Sequence, residues 1–182
     1  MDYSGIDVDV AFEIGWQLRL IAAEHPVVRR VVRGVRASRA MVPGMPMGHN
    51  DGEIFLNARD LSFAADAVRR RLEQTVRGGA HPPGCGSLAA GVSHEVGEAM
   101  EVYIASGRAG AAPRSLLSQW KLRMPYAGLG RYAKHRHDVH GQDERFPEAF
   151  MALLHTPRDV ASPALSAAID GIAAILGEVE GW

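Results

Sequence analysis

A histidine and two glutamates stand at helical spacing near the middle of the 182-residue chain, as His94, Glu95 and Glu98 in the run HEVGE. Residues at positions i and i+4 of a helix lie one turn apart on one face, so His94 and Glu98 can point at a single atom. Glu95 is offset by one position and flanks that atom. The H-E-x-x-H zinc helix has this geometry, with the intervening Glu as general base. The pattern predicts that His94 and Glu98 are metal ligands and that Glu95 moves a proton.

A second acidic element follows roughly 50 residues later, in the run ERFPEAF. The spacing predicts a helix that buries Phe146 and Phe150 and leaves Glu144 and Glu148 together on another side. A catalytic zinc site needs three protein ligands. A carboxylate at the start of a helix packed beside the His94 helix can supply the third, which makes Glu144 the expected ligand.

Three runs of the chain, GVSHEVGEAMEVY, RYAKH and ERFPEAFMALLHTP, together resemble the lethal-factor-type zincin domain. That group includes the catalytic domain of anthrax lethal factor and peptidase domains of phage head proteins and bacterial polymorphic toxins. The resemblance covers roughly residues 52–177. It implies a zinc-dependent endopeptidase in which a metal-activated water hydrolyses a peptide bond.

The resemblance also implies a role for individual residues. His94 would be a zinc ligand, Glu95 the general base, Glu144 the distal ligand and Tyr132 a group that stabilises the oxyanion. An edge strand before the active helix, here residues 54–57, would bind a peptide or protein substrate in extended form through main-chain hydrogen bonds.

The departure from the zincin motif is Glu98, which stands where the motif has its second histidine. Zinc held by two histidines and one glutamate keeps a net charge of about +1, whereas one histidine and two glutamates bring it to about zero. A less positive metal polarises a carbonyl less and lowers the pKa of its water less. A weakened zinc site, a different metal and a retired site are therefore all compatible with the sequence. The alternative function is a catalytically inactive zincin-fold structural or interaction protein, such as a phage virion component.

Other side chains with metal-binding chemistry lie outside this constellation. His135, His137 and His140 form an H-x-H-x-x-H cluster before Glu144, and we interpret them as part of a solvated polar loop. Cys85 is the single cysteine, which excludes an intrachain disulfide. We interpret it as a small buried residue and not as a thiolate ligand.

The elements that must position these residues indicate an α+β fold, mainly helical with a small twisted sheet. We treat residues 1–182 as a single domain, with N-terminal helices and a loop over 1–50 and a metallopeptidase-like region over 52–177. Periodicity and turn signals predict a short strand over 53–57 with a partner at 37–42, and a loop over 41–50. They also predict helices over 8–23, 27–35, 62–76, 87–105, 144–155 and 162–178.

Composition limits the classes of partner. Hydrophobic residues make up 47% and charged residues 23% of the chain, and the formal net charge is -1. A balanced charge makes nucleic acid an unlikely partner, and the run of Arg29, Arg30, Arg33 and Arg36 is interpreted as the solvated basic face of an amphipathic helix. No apolar run approaches the ~20 residues that span a bilayer. With no signal peptide visible, we expect a cytoplasmic protein, or one that is part of a virion or exported by a dedicated system.

Overall fold

The structure, a computed structural model, describes residues 1–126, 128–134 and 143–182. Over these residues the chain is an α+β fold, mainly helical with one small mixed sheet, as the sequence predicts. No helix in the described ranges has both the length and the apolar character needed to cross a membrane. The elements are α1 (Val8–Glu24), α2 (Val28–Val31), β1 (Gly34–Ser38), β2 (Met47–Asn50), β3 (Glu53–Asn57), α3 (Ala65–Arg77), α4 (Leu88–Ala105), α5 (Ala111–Arg123), a 3-10 helix (Tyr132–Lys134), α6 (Arg145–His155) and α7 (Pro163–Gly177).

The sheet is built around a tight hairpin. β3 lies in the middle, parallel to β1 on one side and antiparallel to β2 on the other. Asp51 and Gly52 form the two-residue turn between β2 and β3, and both have positive φ angles, of 45° and 79°. A Cβ atom at Gly52 would lie 2.8 Å from the carbonyl oxygen of Val31. Glycine is therefore required there both by the turn and by the close approach of α2.

The sheet corrects three predictions. Residues 54–57 do form a strand, but it is central, so the predicted edge strand is wrong and β2 takes an edge position instead. The predicted loop over 41–50 is wrong at its end, where MGHN is strand β2. That segment has no β-branched or aromatic residue to signal a strand, and its conformation is set by pairing across the hairpin. The predicted partner, 37–42, is displaced to 34–38.

The predicted helix over 27–35 is also wrong in extent. α2 stops at Val31, and Val35 is buried in strand β1, in keeping with the strand preference of a valine-rich segment. The four arginines of the predicted basic face are all exposed, as predicted, but they are divided among a helix, a loop and a strand and do not lie on one helix. Three of them have carboxylate partners, in the pairs Arg30–Glu180, Arg33–Asp51 and Arg36–Glu53.

The helices that carry the predicted site agree closely with the sequence. Ser87 caps α4, its hydroxyl accepting a hydrogen bond from the Ala90 N–H at 3.0 Å. α4 packs against α6. At this crossing a Cβ atom on Gly97 would lie 3.0 Å from Pro147 Cα and 3.1 Å from Phe150 Cβ. The absence of a side chain at Gly97 therefore lets the start of α6 approach the middle of α4.

Candidate metal centre

The three predicted ligands come together between α4 and the start of α6. His94 Nε2 lies 3.2 Å from Glu144 Oε2 and 3.6 Å from Glu98 Oε1. One ligand atom from each residue lies within 4.8 Å of the others. His94 and Glu98 are one helical turn apart on α4, and Glu144 occupies the N-cap position of α6. The geometry suits a single cation held by one imidazole and two carboxylates.

A buried carboxylate stands behind the His94 ring. Glu148 Oε1 lies 3.2 Å from His94 Nδ1, and Glu148 is fully buried on the first turn of α6. In metal sites such a carboxylate orients the imidazole and makes it a stronger ligand. Sequence reasoning placed Glu148 beside Glu144 without giving it a role. The signal was present in the i, i+4 spacing of the two glutamates.

Glu98 also has an imidazole close to its carboxylate. His49, on β2, has its Nδ1 3.7 Å from Glu98 Oε2. The backbone N–H of Gly52 donates to His49 Nε2 at 2.8 Å, so the neutral ring carries its proton on Nδ1 and directs it toward Glu98. Sequence reasoning missed His49 because its position depends on the hairpin, for which the MGHN segment gave no signal.

The centre collects carboxylates in largely buried surroundings. Glu144 and Glu148 are buried to 1% and 0% exposure, and they share their surroundings with Glu95 and Glu98. Burial opposes a charged imidazole, but Glu144, Glu148 and Glu98 outweigh it, so the pKa of His94 lies well above its ordinary value. Buried carboxylates are costly unless they are paired with cations or coordinate a metal. The donor set therefore fits a divalent cation, and oxygen and imidazole donors are ones that zinc accepts.

The predicted base and oxyanion group border the same centre. Glu95 is buried, and burial, followed by repulsion from Glu98, raises its pKa well above the ordinary range. A carboxylate with a raised pKa is a better proton acceptor. The Tyr132 ring centroid is 5.6 Å from that of His94, and burial raises the pKa of the Tyr132 hydroxyl to about 12. That hydroxyl keeps its proton at neutral pH and can donate a hydrogen bond.

A cavity of about 280 Å³ opens beside these residues. Its polar wall contains His81, His94, Glu95 and Tyr132. The remaining wall is mainly apolar and includes Met45, Pro46, Met47, Val68, Leu72 and Met151. The buried side chain of Asn57 holds one border in place by donating to the carbonyl oxygens of Val42 and Met45, each at 3.0 Å. An apolar recess next to a polar cluster is typical of sites for small ligands or side chains.

Cys85 is buried and its Sγ lies 3.7 Å from the Thr156 hydroxyl. Burial raises the pKa of its thiol to about 12, which keeps it protonated and a poor ligand, and its interpretation as a small buried residue is confirmed. His135, His137 and His140 lie outside the described residues.

A scan against protein-family models gave no match, and searches of curated proteins and of solved structures gave no significant match. The site must therefore be interpreted from its own geometry and chemistry.

Proposed function

We propose that the chain is a zincin-like metallopeptidase domain that hydrolyses peptide bonds with the help of zinc. The observation that carries the proposal is the meeting of His94, Glu98 and Glu144 around one point, with Glu95 beside them. The resemblance of the HEVGE and ERFPEAF runs to lethal-factor-type zincins supports the same function. The open cavity at this point gives a substrate access to the centre.

His94, Glu98 and Glu144 would hold the ion, while Glu148 and His49 keep two of these ligands oriented. When bound, zinc supplies a Lewis acid that polarises the scissile carbonyl and lowers the pKa of the attacking water. Glu95 takes the proton from that water and passes it to the leaving amine. Tyr132 donates its hydroxyl proton in a hydrogen bond to the developing oxyanion.

The substrate would pair with β2, because β3 has a strand on each side. In a hairpin with a two-residue turn, the residues that flank the turn bond to each other, so alternate residues of β2 direct their peptide groups outward. Asn50 flanks the turn, which leaves Met47 and His49 as the outward-directed positions. Met47 also lines the cavity, so an extended peptide here would place an apolar side chain in the recess.

Proteolysis of casein by zinc-loaded protein tests the proposal. We expect activity in the wild type that 1,10-phenanthroline abolishes and added zinc restores. Glu95→Gln should lower kcat by a factor of about 100 or more while zinc stays bound, since it removes the base and no ligand. Glu178→Gln, which changes an exposed glutamate at the end of α7, is the matched control and should behave as wild type. Proteolysis that survives Glu95→Gln and the chelator contradicts the proposal.

The second candidate function is a zincin fold without catalysis, used as a structural or interaction module. The observation that favours it is the raised pKa of His94, because a protonated imidazole among carboxylates neutralises part of the charge without any metal. Glu98→His provides the test. A wild type that binds no zinc, beside a Glu98→His variant that does, supports this candidate over the peptidase.

A further inference from the structure

His81 lies beside the candidate metal centre, although no sequence motif includes it. It lies in the loop between α3 and α4, and its Nδ1 is 2.8 Å from Glu148 Oε1. The same carboxylate oxygen lies 3.2 Å from His94 Nδ1. One buried carboxylate oxygen therefore lies within 3.2 Å of two imidazole rings, only one of which belongs to the predicted ligand set.

Backbone pairing fixes His81 and Tyr132 as a unit. The N–H of Arg131 donates to the carbonyl of Gly79, and the N–H of Tyr132 donates to that of Ala80, each at 2.9 Å. Gly130 permits this approach, since it has a φ angle of 83° and a Cβ atom there would lie 2.9 Å from His81 Cα. The two segments thus bring both rings to the same wall of the cavity.

The rings of His81, Tyr132 and His94 lie close together on that wall. Their centroids form a triangle with sides of 5.2 Å between His81 and Tyr132, 5.6 Å between Tyr132 and His94, and 6.3 Å between His81 and His94. Nδ1 of His81 is engaged by Glu148, and within the described ranges no residue hydrogen-bonds to its Nε2. The ring is partly exposed and lines the cavity, so Nε2 is the polar atom it offers to a ligand.

We propose that His81 is a further substrate-contacting residue, whose Nε2 hydrogen-bonds the scissile peptide group beside Tyr132. The inference rests on the proposed function and adds a second polar contact to it. The neutral ring accepts a hydrogen bond from the peptide N–H, and the charged ring donates one to the carbonyl oxygen. Glu148 sets the direction of Nε2, as the carboxylate of a carboxylate–histidine pair does.

His81 could instead serve only to support Glu148 through its Nδ1. Two substitutions separate this supporting role from contact with the substrate. His81→Asn keeps an amide N–H near the position of Nδ1 and so keeps the bond to Glu148, but has no atom at the position of Nε2. His81→Ala removes both the bond to Glu148 and the ring nitrogen Nε2. The readouts are zinc affinity, measured by competition with a chelating indicator, and the affinity of the zinc-loaded protein for a leucine-containing dipeptide phosphonate, measured by calorimetry.

We expect His81→Ala to bind the phosphonate about 10- to 100-fold more weakly than wild type, the usual effect of a lost buried hydrogen bond. His81→Asn should bind it as weakly as His81→Ala while holding zinc within about threefold of wild type. Phosphonate binding by His81→Asn equal to wild type overturns the inference and assigns His81 to the support of Glu148 alone. A wild type that holds zinc but binds no phosphonate overturns it as well, and leaves the metal site standing. A wild type that holds no zinc overturns the proposed function and this inference with it.

Discussion

His94 is held from both sides of its ring, with Glu144 and Glu98 near Nε2 and Glu148 at Nδ1. The sequence was sufficient to predict Glu98, because i, i+4 spacing on one helix is a local property, and Glu144 was expected from its place at the start of the ERFPEAF helix. It was insufficient for His49 and His81, which reach the centre from a hairpin and a loop. Their positions depend on long-range contacts that leave no periodic pattern in the chain.

Glu148→Gln tests the carboxylate behind the ring. The change removes a buried negative charge but keeps the shape of the side chain. We expect zinc affinity to fall by about 10- to 100-fold, because the imidazole loses its orienting partner and some of its basicity. Competition with a chelating indicator measures the change, with Glu178→Gln as the control. An affinity equal to wild type would show that Glu148 does not support the site.

Two helices, α4 and α6, deliver the ligands, and their crossing sets how far apart the ligands lie. Both were predictable from sequence because their apolar spacing and length agree with a helix, and α4 is in addition capped by Ser87. The sheet was less predictable. β2 lacks residues with strand preference, so its pairing with β3, and with it the correct edge of the sheet, follows from tertiary structure alone.

Gly97→Ala tests the crossing of these helices. The added methyl group meets the backbone at Pro147 and the Cβ of Phe150, so α6 must shift and carry Glu144 with it. We expect a loss of about 1–3 kcal/mol in the free energy of unfolding, together with weaker zinc binding.

Gly177→Ala is the matched control at the end of α7, where an added Cβ has no neighbour within 4 Å. It should leave zinc affinity unchanged and alter stability by at most about 1 kcal/mol, in the stabilising direction. Urea unfolding and zinc titration of both variants give the comparison. A Gly97→Ala protein as stable as wild type, with the same zinc affinity, would show that the crossing tolerates a side chain.

The whole molecule has a formal net charge of only -1, yet several of its carboxylates are gathered at one buried centre. Composition does not reveal this concentration, because it averages over the surface. Because these carboxylates raise the pKa of His94, the stability of the fold depends on pH. A histidine whose pKa is higher in the folded chain than in the unfolded chain stabilises the fold below the unfolded value of about 6.5, and this contribution is lost as pH rises through the folded value.

The stability of the metal-free protein and the stabilisation gained from zinc should therefore change with pH in opposite directions. We expect the free energy of unfolding of metal-free protein to decrease as pH rises above about 6.5, because the unfolded chain then loses a proton that the folded chain still holds on His94. The stabilisation gained on adding zinc should increase over the same range, because zinc competes with that proton. Urea unfolding between pH 6 and 9, with and without a chelator, measures both. His94→Gln should remove this contribution, and a metal-free wild type with the same pH dependence as the variant would contradict the assignment.

Anomalous diffraction at the zinc edge, from crystals of zinc-loaded protein, tests the central claim most directly. The account predicts one strong peak within coordination distance, about 2.0–2.2 Å, of His94 Nε2 and of an oxygen from each of Glu98 and Glu144. It also predicts the same peak in Glu95→Gln crystals and none at this site in His94→Ala crystals. Wild-type crystals with no anomalous density between these three side chains would contradict it.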